Sequence, residues 1–464
     1  MIFVNRKKEL KALNDWWRVK LPQLIIIYGK RRVGKTELIK QFIKDKPAVY
    51  FLADKVGEKD NLKALSKSIG SFLKDSLLEK NGFGDWYDLF AYLKAKPERF
   101  ILVIDEFPYL VETNKAISSV FQKGWDEYLK DAGLFLILSG SSIGMMEAET
   151  LSHKAALYGR RTGQILVKPL RFGEVKEFFP GRSFEDILRI HTVTGGIPAY
   201  ILLLKQKGSF KKAVEQNLLS PQAYLYNEVE FILKEELREP RTYFSILRAI
   251  ALGKQKFGEI VNETGLQKNI IMKYLGVLED LHLLKKDLPI TEKNPLRSKK
   301  NLYFIEDQFF VFWFNYIFPF KSELELGKTS GLWDKFSRGF NLSVSRNYER
   351  AAKDIVADHE GKFFPLLKIG RWWDRNEEID IVAVNDEENK ILFCEVKWSN
   401  KPVGTDIYDD LKRKAGLVEW GKPGRREFFA LFSKSGFTPA MKSAAKKEKV
   451  TLFQGDREVG GLQK

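Results

Sequence analysis

The chain contains very little cysteine and histidine for its length. Of its 464 residues, one is cysteine, Cys394, and four are histidine. A single cysteine excludes an intrachain disulfide, and four scattered histidines leave no cluster typical of a zinc site. The sequence also lacks an apolar run of about 18 residues or more, which a membrane-spanning helix needs. The most lipid-like run, 309–320, contains Asn315 and Pro319, and a buried core or interface suits it better.

What the chain does contain is typical of packed domains. Hydrophobic residues make up 44% and aromatic residues 13%, and the length predicts two to four domains. The first residues lack the apolar core of a secretory signal, so we expect a cytoplasmic protein with no membrane partner. The net charge of +17 fits either a polyanionic partner or a lysine-rich solvated surface.

A phosphate-binding motif follows a β-rich run near the N-terminus. Residues 24–28 lead into Gly29-x-x-x-x-Gly34-Lys35-Thr36, and a helical pattern comes next. Glycines let backbone N–H groups wrap a phosphate, and the helix start adds its dipole. Lys35 is expected to reach the β- and γ-phosphates of ATP, and the Thr36 hydroxyl to ligate Mg²⁺. The residues predicted to bind nucleotide here are Gly29, Lys30, Arg31, Arg32, Val33, Gly34, Lys35, Thr36 and Glu37.

A second apolar run, 101–104, ends in Asp105-Glu106. A carboxylate at a strand end beside the phosphate loop can hold the Mg²⁺ shell, and the next can polarise an attacking water. We therefore predict Asp105 as a metal ligand and Glu106 as a catalytic residue, although such a pair by itself is a common strand end.

Two further segments carry candidate residues for the same site. The apolar run 134–138 ends in Ser139 and Ser141, where a hydroxyl can sense the γ-phosphate, and Ser139 is the predicted sensor. Arg160 or Arg161 can act as an arginine finger in cis, or in trans within a nucleotide-dependent homo-oligomer. A solvated loop or a structural salt bridge explains these arginines equally well.

Taken together, these segments resemble the archaeal-type ATPases of the STAND branch of AAA+ proteins. The resemblance rests on "FVNRKKEL", "YGKRRVGKT", "ILVIDEF", "KPLRFGEVKEFF" and "TGGIPAYI". It implies that Asn5 and Arg6 lie at the adenine and that Pro198 faces the nucleotide. It also implies a helical lid, and a sheet in which the Ser139 strand lies between the strands of the two motifs.

The pattern changes from residue 241 onward. Three helical segments follow, with Thr264-Gly265 as the turn before the third, and the stretch after them fits the start of a β-wing. This pattern predicts a winged helix. Basic residues that could touch a DNA backbone are Lys268, Lys273, Lys285, Lys286, Arg297, Lys299 and Lys300. Winged helices of this ATPase class also pack on the nucleotide domain without reading DNA, and the third segment carries Glu279 and Asp280.

The last third contains charged residues inside two predicted strands. Two apolar runs flank Asn385-Asp386 as in a hairpin. Asp380 interrupts the first run, while Glu395 and Lys397 lie two residues apart in the second and so share a face. Carboxylates that converge on Mg²⁺ or Mn²⁺, with a lysine that orients water, are what phosphodiester hydrolysis needs.

This arrangement resembles the PD-(D/E)xK nucleases, in the subset with a helix glutamate that includes Holliday-junction resolvases. The resemblance implies Asp380, Glu395 and Lys397 as catalytic, Asp380 and Glu395 as metal ligands, and Glu349 as the helix glutamate. The chain has Ile379 where the motif names proline. A structural Glu–Lys pair on an exposed sheet face is the alternative.

The predicted fold is α/β, with a parallel P-loop sheet, a helical lid, a winged helix and a restriction-endonuclease-like domain. The predicted boundaries are 1–169 for the ATPase core, 170–235 for the lid, 236–305 for the winged helix, 306–334 for an aromatic-rich connector and 335–464 for the nuclease-like domain. The predicted function is a Mg²⁺-ATP-hydrolysing switch coupled to DNA cleavage. An ATP-controlled DNA-binding or signalling switch is the alternative.

Overall fold

The computed structural model describes residues 3–205, 208–237, 239–327 and 332–460, so residues 328–331 of the predicted connector lie outside it. The chain divides into two compact units. The first contains Met1–Pro169, Ile197–Ala199 and Glu235–Arg238, and the second contains Leu170–Gly196, Tyr200–Lys234 and Glu239–Lys464. Within the described ranges, no helix combines the length and apolarity needed to cross a membrane.

The first unit is built on a five-stranded sheet in which every strand pair is parallel. Its elements are α1 (Lys7–Arg18), β1 (Gln23–Tyr28), α2 (Lys35–Ile43), β2 (Ala48–Leu52), α3 (Glu58–Leu73), α4 (Ser76–Asn81), α5 (Trp86–Lys94), β3 (Phe100–Asp105), α6 (Phe107–Thr113), α7 (Ile117–Glu127), β4 (Leu134–Gly140), α8 (Ile143–Met146) and β5 (Gly163–Leu166). The strand order is β2-β3-β4-β1-β5. This order confirms that the Ser139 strand lies between the strands of the two motifs.

Both faces of this sheet are covered by apolar side chains. Along β1, Leu24 and Ile26 belong to one buried cluster, whereas Ile25 and Ile27 belong to another. A strand that alternates between two cores must be apolar at nearly every position, which explains the continuous runs in the sequence. Because the strands are parallel, the carboxyl ends of β1, β3 and β4 meet at one edge, and the polar residues that follow each run are gathered there.

The second unit begins with helices and a small antiparallel ribbon. Its elements up to residue 363 are α9 (Phe172–Val175), α10 (Phe184–Thr194), α11 (Pro198–Leu204), α12 (Phe210–Val214), α13 (Glu228–Glu236), α14 (Pro240–Ala251), α15 (Phe257–Thr264), α16 (Lys268–Asp280), β6 (Leu284–Asp287), β7 (Leu302–Ile305), α17 (Gln308–Tyr316), α18 (Lys321–Glu325), α19 (Leu332–Asp358) and α20 (Glu360–Phe363). The start of α11 and the end of α13 belong to the first unit. The three helices predicted from residue 241 onward are α14, α15 and α16.

The aromatic run 309–320 forms part of the core of this unit. Helix α17 buries Phe309, Phe312 and Trp313 almost completely, and the Trp313 indole donates to the carbonyl of Tyr226 at 2.7 Å. Burial in protein therefore accounts for the most lipid-like segment. The 27-residue helix α19 begins at Leu332 and runs through position 335, where the nuclease-like domain was predicted to begin.

The second unit ends in a six-stranded mixed sheet. Its elements are β8 (Lys368–Asp374), β9 (Glu377–Asn385), β10 (Lys390–Lys397), α21 (Thr405–Gly416), β11 (Arg426–Ser433), α22 (Pro439–Glu448), β12 (Thr451–Gln454) and β13 (Arg457–Gly460), in the strand order β13-β12-β11-β10-β9-β8. Strands β8, β9 and β10 form an antiparallel meander, and β11 and β12 continue parallel to β10.

The hairpin predicted around Asn385-Asp386 is formed by β9 and β10, and three further strands and two helices follow it in the structure. Strands β12 and β13 have four residues each, too few for a period of two to be recognised. Cys394 lies inside β10 and is a buried free thiol.

Candidate functional sites

The phosphate-binding motif folds as a loop between β1 and α2. Gly29 and Gly34 have φ angles of 149° and 98°, a backbone conformation that residues other than glycine rarely adopt. A Cβ atom at Gly29 would lie 2.4 Å from the carbonyl oxygen of Val167. The glycine therefore permits both the turn and the close approach of the chain after β5.

The Lys35 side chain points back into this loop. It is 5% exposed, and its Nζ donates to the carbonyl oxygens of Gly29 at 2.9 Å and Lys30 at 3.2 Å. Burial lowers the pKa of Lys35, and the nearby carboxylates of Glu106 and Asp105 oppose that shift. The ammonium group is thus held among carbonyls, where a phosphate oxygen is a stronger partner.

Asp105 lies at the end of β3 and connects two hydroxyl groups. Its Oδ2 accepts from Thr36 Oγ1 at 2.9 Å and from the Tyr50 hydroxyl at 2.6 Å. Burial, followed by the hydrogen bond to Asp105, raises the pKa of Tyr50. No motif points to Tyr50, which lies on β2 directly beside β3.

Glu106 and the serines after β4 form the adjacent part of the edge. The Glu106 backbone is left-handed, with φ 56°, and its Oε2 accepts from both the backbone N–H (3.1 Å) and the hydroxyl (2.9 Å) of Ser141. The Ser139 hydroxyl is buried and finds no hydrogen-bond partner among the described residues. Glu106 is therefore held by the serine that follows the predicted sensor.

These residues fit a magnesium-bound nucleotide. Thr36 and Asp105 present a hydroxyl and a carboxylate within 2.9 Å of each other, the oxygen donors that Mg²⁺ prefers. Ser139 supplies a buried hydroxyl that lacks a partner among the described residues. Lys35 supplies the buried cation that a triphosphate needs.

Two residues implied by the family resemblance also lie at the loop. Arg6 donates from Nη2 to the carbonyl of Val33 at 2.9 Å, and both Asn5 and Arg6 have φ of 58°. The Cγ of Pro198, the first residue of α11, lies 3.9 Å from where a Cβ at Gly34 would be. Glu37 lies in the first turn of α2.

The predicted arginine fingers are engaged elsewhere in the chain. Arg160 pairs with Asp126 on α7, with contacts of 3.3 and 3.0 Å, and also donates to the carbonyl of Tyr158. Arg161 donates to the carbonyl of Thr150 at 3.3 Å. These contacts favour the structural alternative for Arg160, and a finger role for either residue stays a prediction.

Two acidic residues that the sequence did not single out also lie in the first unit. Glu235 accepts from Arg31 Nη1 through both carboxylate oxygens, and Glu236 Oε2 accepts from Ser142 Oγ at 3.1 Å. Burial raises the pKa of Glu236 to about 7. More than 200 residues separate Arg31 from Glu235, and no motif links them.

The second candidate site lies on β9 and β10. Lys397 Nζ donates to Glu395 Oε1 at 2.6 Å, which confirms that the two side chains share a face. Lys414 of α21 approaches the same oxygen at 3.6 Å. Asp380 Oδ2 on β9 accepts from the backbone N–H of Val396 at 2.8 Å.

One carboxylate oxygen of this site is exceptional. Glu395 is 5% exposed, and its Oε2 has no hydrogen-bond partner among the described residues. A buried anionic oxygen without a partner is costly, so the site has capacity for a cation.

Glu349 approaches the site from α19. It pairs with Arg371 at 3.8 Å, and Arg371 also contacts Glu378 at 3.3 Å. Burial raises the pKa of Glu349, and burial together with repulsion from Glu395 and Glu349 raises the pKa of Asp380 to about 8.

In the described part of the chain, no group of three or more His, Cys, Asp or Glu residues is arranged to hold a metal ion. The pair Asp380 and Glu395 nevertheless fits Mg²⁺, which typically binds one or two carboxylates and keeps several waters. Glu349, held by Arg371, adds charge to this pair without completing a third ligand.

The sheet order and the loop geometry define a P-loop ATPase, and comparison with known proteins agrees. Residues 3–204 match a family described as "ATPase domain predominantly from Archaea", and residues 313–410 match one described as "Archaea bacterial proteins of unknown function". The chain is 38% identical over 440 residues to "Uncharacterized protein MJECL04" of Methanocaldococcus jannaschii, covering 93% of this chain and 96% of that protein. It therefore belongs to the same family as MJECL04, a family of archaeal P-loop ATPases.

A solved structure extends the comparison at the level of fold. The Walker-type ATPase PABY2304 of Pyrococcus abyssi matches with a TM-score of 0.51 and 23% identity, over 67% of this chain and 96% of that chain. At this identity the match shows a shared fold only. A shorter relative, "Uncharacterized ATP-binding protein MJ0423" of M. jannaschii, is 54% identical over 46 residues, 10% of this chain and 78% of that protein.

Proposed function

We propose that this ATPase uses Mg²⁺-ATP to control a metal-dependent, DNA-directed nuclease site on the β9–β10 hairpin. The observation that carries the nuclease part is the buried Glu395 Oε2, which lacks a partner among the described residues and lies in the motif that contains Asp380 and Lys397. The six-stranded sheet, flanked by α19 and α21, is assigned as the restriction-endonuclease-like domain.

In the ATP site each side chain has a distinct role. Lys35 binds the β- and γ-phosphates, while Thr36 and Asp105 would hold Mg²⁺, which when bound neutralises charge on the phosphates. Glu106, held by Ser141, orients and polarises the attacking water. Ser139, whose buried hydroxyl lacks a partner among the described residues, would contact the γ-phosphate.

In the hairpin site Asp380 and Glu395 would hold Mg²⁺ or Mn²⁺, which when bound supplies positive charge to a scissile phosphate. Lys397 lies 2.6 Å from Glu395 and orients the attacking water. Lys414 contacts both Glu395 (3.6 Å) and Asp410 (3.0 Å), so it helps to fix the glutamate.

The helices α14, α15 and α16 and the antiparallel pair β6–β7 are assigned as a winged helix that supports DNA binding. Lys268 and Lys273 lie exposed on α16, where a recognition helix meets the major groove. DNA affinity that depends on such contacts would fall steeply as the salt concentration increases.

A second candidate is an ATP-controlled DNA-binding switch that does not cut. The observation that favours it is the ion pair of Glu349 with Arg371, which occupies the helix carboxylate. Burial and the repulsion of Glu395 and Glu349 also raise the pKa of Asp380, which favours its neutral form when no cation is bound. Both features favour a domain that binds DNA without cleaving it.

A cleavage assay separates the two candidates. Plasmid, linear, single-stranded and branched DNA would each be incubated with Mg²⁺ or Mn²⁺, with and without ATP. We expect cleavage that Lys397→Ala abolishes and that Lys390→Ala, at the other end of β10, retains. Equal cleavage by both variants would place the active site elsewhere, and ATP-dependent DNA binding without cleavage would support the second candidate.

A further inference from the structure

Two carboxylates outside the phosphate-binding motif face its basic side chains. Glu235 and Glu236 end α13 and belong to the first compact unit. Arg31, in the middle of the phosphate loop, donates to both oxygens of Glu235, and the longer contact is 2.6 Å. Glu236 accepts from Ser142, which follows β4, at 3.1 Å. The end of α13 thus contacts both the loop and the edge of the sheet.

Glu236 also acts on the buried cation of the loop. Burial lowers the pKa of Lys35, and the carboxylates of Glu106 and Asp105, followed by Glu236, oppose that shift. In the same way, Lys35 opposes the rise that burial causes in the pKa of Glu236. Arg31 is therefore partly neutralised by its ion pair with Glu235, and Glu236 adds negative charge beside the same loop.

We propose that Glu235 and Glu236 form a displaceable anionic latch, which neutralises the loop cations until the phosphates of ATP compete for them. The latch deepens the proposed function, because it adds a control to nucleotide binding at this loop. ATP binding then requires the last turn of α13 to leave Arg31 and Ser142.

The contacts are of a kind that a nucleotide can break. Arg31 and Glu235 are 45% and 51% exposed, and a half-exposed ion pair contributes little to stability. A triphosphate offers Arg31 and Lys35 several charged oxygens at once, in a loop built for them. The exchange therefore favours the nucleotide, although the latch lowers its apparent affinity.

The opposite end of α13 is fastened within the second unit. Glu228 accepts from the Tyr200 hydroxyl at 2.8 Å, and Lys321 donates to Glu230 at 2.7 Å. Release of the last turn would therefore leave the first turns of α13 in place.

The first test compares nucleotide affinity. A Glu235→Gln/Glu236→Gln double variant should bind Mg²⁺-ATP about 5-fold or more tightly than the wild type, because the competing state is lost. Glu239→Gln, which neutralises a glutamate three residues beyond the pair, should stay within about 2-fold of the wild type. Equal affinity of the double variant and the wild type would overturn the latch.

The second test distinguishes displacement from a general change of charge. Hydrogen exchange of the amides in 228–236 would be followed in the full chain with and without ATP, beside Lys35→Ala. We expect ATP to lower the protection of the last turn in the wild type, with no response in Lys35→Ala. If ATP binds and the amides of this turn stay protected, the latch is wrong but the ATP site stands. If the wild type binds no ATP, the assignment of the phosphate loop is wrong as well.

Discussion

The two candidate sites both place carboxylates on a sheet, but they satisfy them differently. In the first unit, Asp105 accepts from two hydroxyls and Glu106 accepts from Ser141 twice. In the second unit, Glu395 keeps a buried oxygen with no partner among the described residues, and Asp380 has a pKa near 8. The carboxylates of the ATP site are thus satisfied by hydroxyl and backbone donors, whereas in the hairpin site Glu395 pairs with Lys397 through one oxygen and leaves the other without a partner among the described residues.

The difference follows from how each site is assembled. The ATP site collects residues that follow consecutive motifs, and the parallel strands bring them to one edge. The hairpin site needs α19 for Glu349, β8 for Arg371 and α21 for Lys414, all outside the motif itself. In the ATP site the parallel edge brings hydroxyl partners to Asp105 and Glu106 from 35 to 69 residues away in the chain. In the hairpin site Glu395 meets Lys397 two residues away, and its second oxygen has no partner among the described residues.

The largest effect should come from removing the buried cation of the ATP site. Lys35→Ala leaves the phosphates without their buried ammonium partner, so affinity for Mg²⁺-ATP should fall about 100-fold or more. Isothermal titration of the full chain measures it. Lys44→Ala, an exposed lysine at the end of the same helix, should bind as the wild type does. Wild-type affinity in Lys35→Ala would show that nucleotide binds elsewhere.

The next effect separates binding from chemistry in the same site. Glu106→Gln keeps an oxygen for Ser141 but cannot polarise water as a carboxylate does, so ATP turnover should fall about 100-fold. Affinity should stay within about 3-fold. The matched control is Glu112→Gln on α6, whose carboxylate pairs with Lys55 near the surface. Normal turnover by Glu106→Gln would remove it from the mechanism.

A smaller effect tests whether the hairpin site needs a cation. In a Lys35→Ala background, which disables the first site, Glu395→Gln should weaken Mn²⁺ binding about 10-fold, because a neutral amide replaces the buried anionic oxygen. Binding is followed by calorimetry. Glu378→Gln, an exposed neighbour on β9, should change it by less than about 2-fold. If both variants bind Mn²⁺ equally, the unpartnered oxygen is not a ligand.

The smallest effect concerns a buried imidazole of the second unit. The Asn347 amide donates to His191 Nδ1 at 2.9 Å, so His191 Nε2 carries the hydrogen that faces the carbonyl of Leu170. Burial lowers the pKa of His191 to about 4, so between pH 6.5 and 4 the unfolded chain binds more protons than the folded chain. Its stabilising contribution is therefore present above pH 6.5 and is lost as pH falls.

Denaturant unfolding at pH 7 and pH 5.5 measures the contribution of His191 to the free energy of unfolding. The free energy of unfolding should fall by about 1 kcal/mol more in the wild type than in His191→Gln. His359→Gln, which replaces the histidine directly after α19, serves as the comparison variant. An identical pH dependence in His191→Gln and the wild type would contradict the assignment.

The sequence predicts those parts of the molecule that local patterns specify. Lys35, Thr36 and Asp105 come together as their motifs require, and the β9–β10 hairpin places Glu395 beside Lys397. Tyr50 could not be selected, because its role depends on the register between β2 and β3. Glu235 was missed because its partner, Arg31, lies 204 residues away in the chain.

The chain enters the first compact unit again after residue 169, and this limits how the ATPase core can be transferred between proteins. Residues 197–199 and 235–238 belong with a core whose other residues all precede Leu170. A gene fragment that ends at residue 169 would encode the loop and the strands, but neither Pro198 nor the acidic end of α13. Residues 1–169 therefore do not contain the complete ATPase core, and a chimeric protein that keeps this core must include the chain through residue 238.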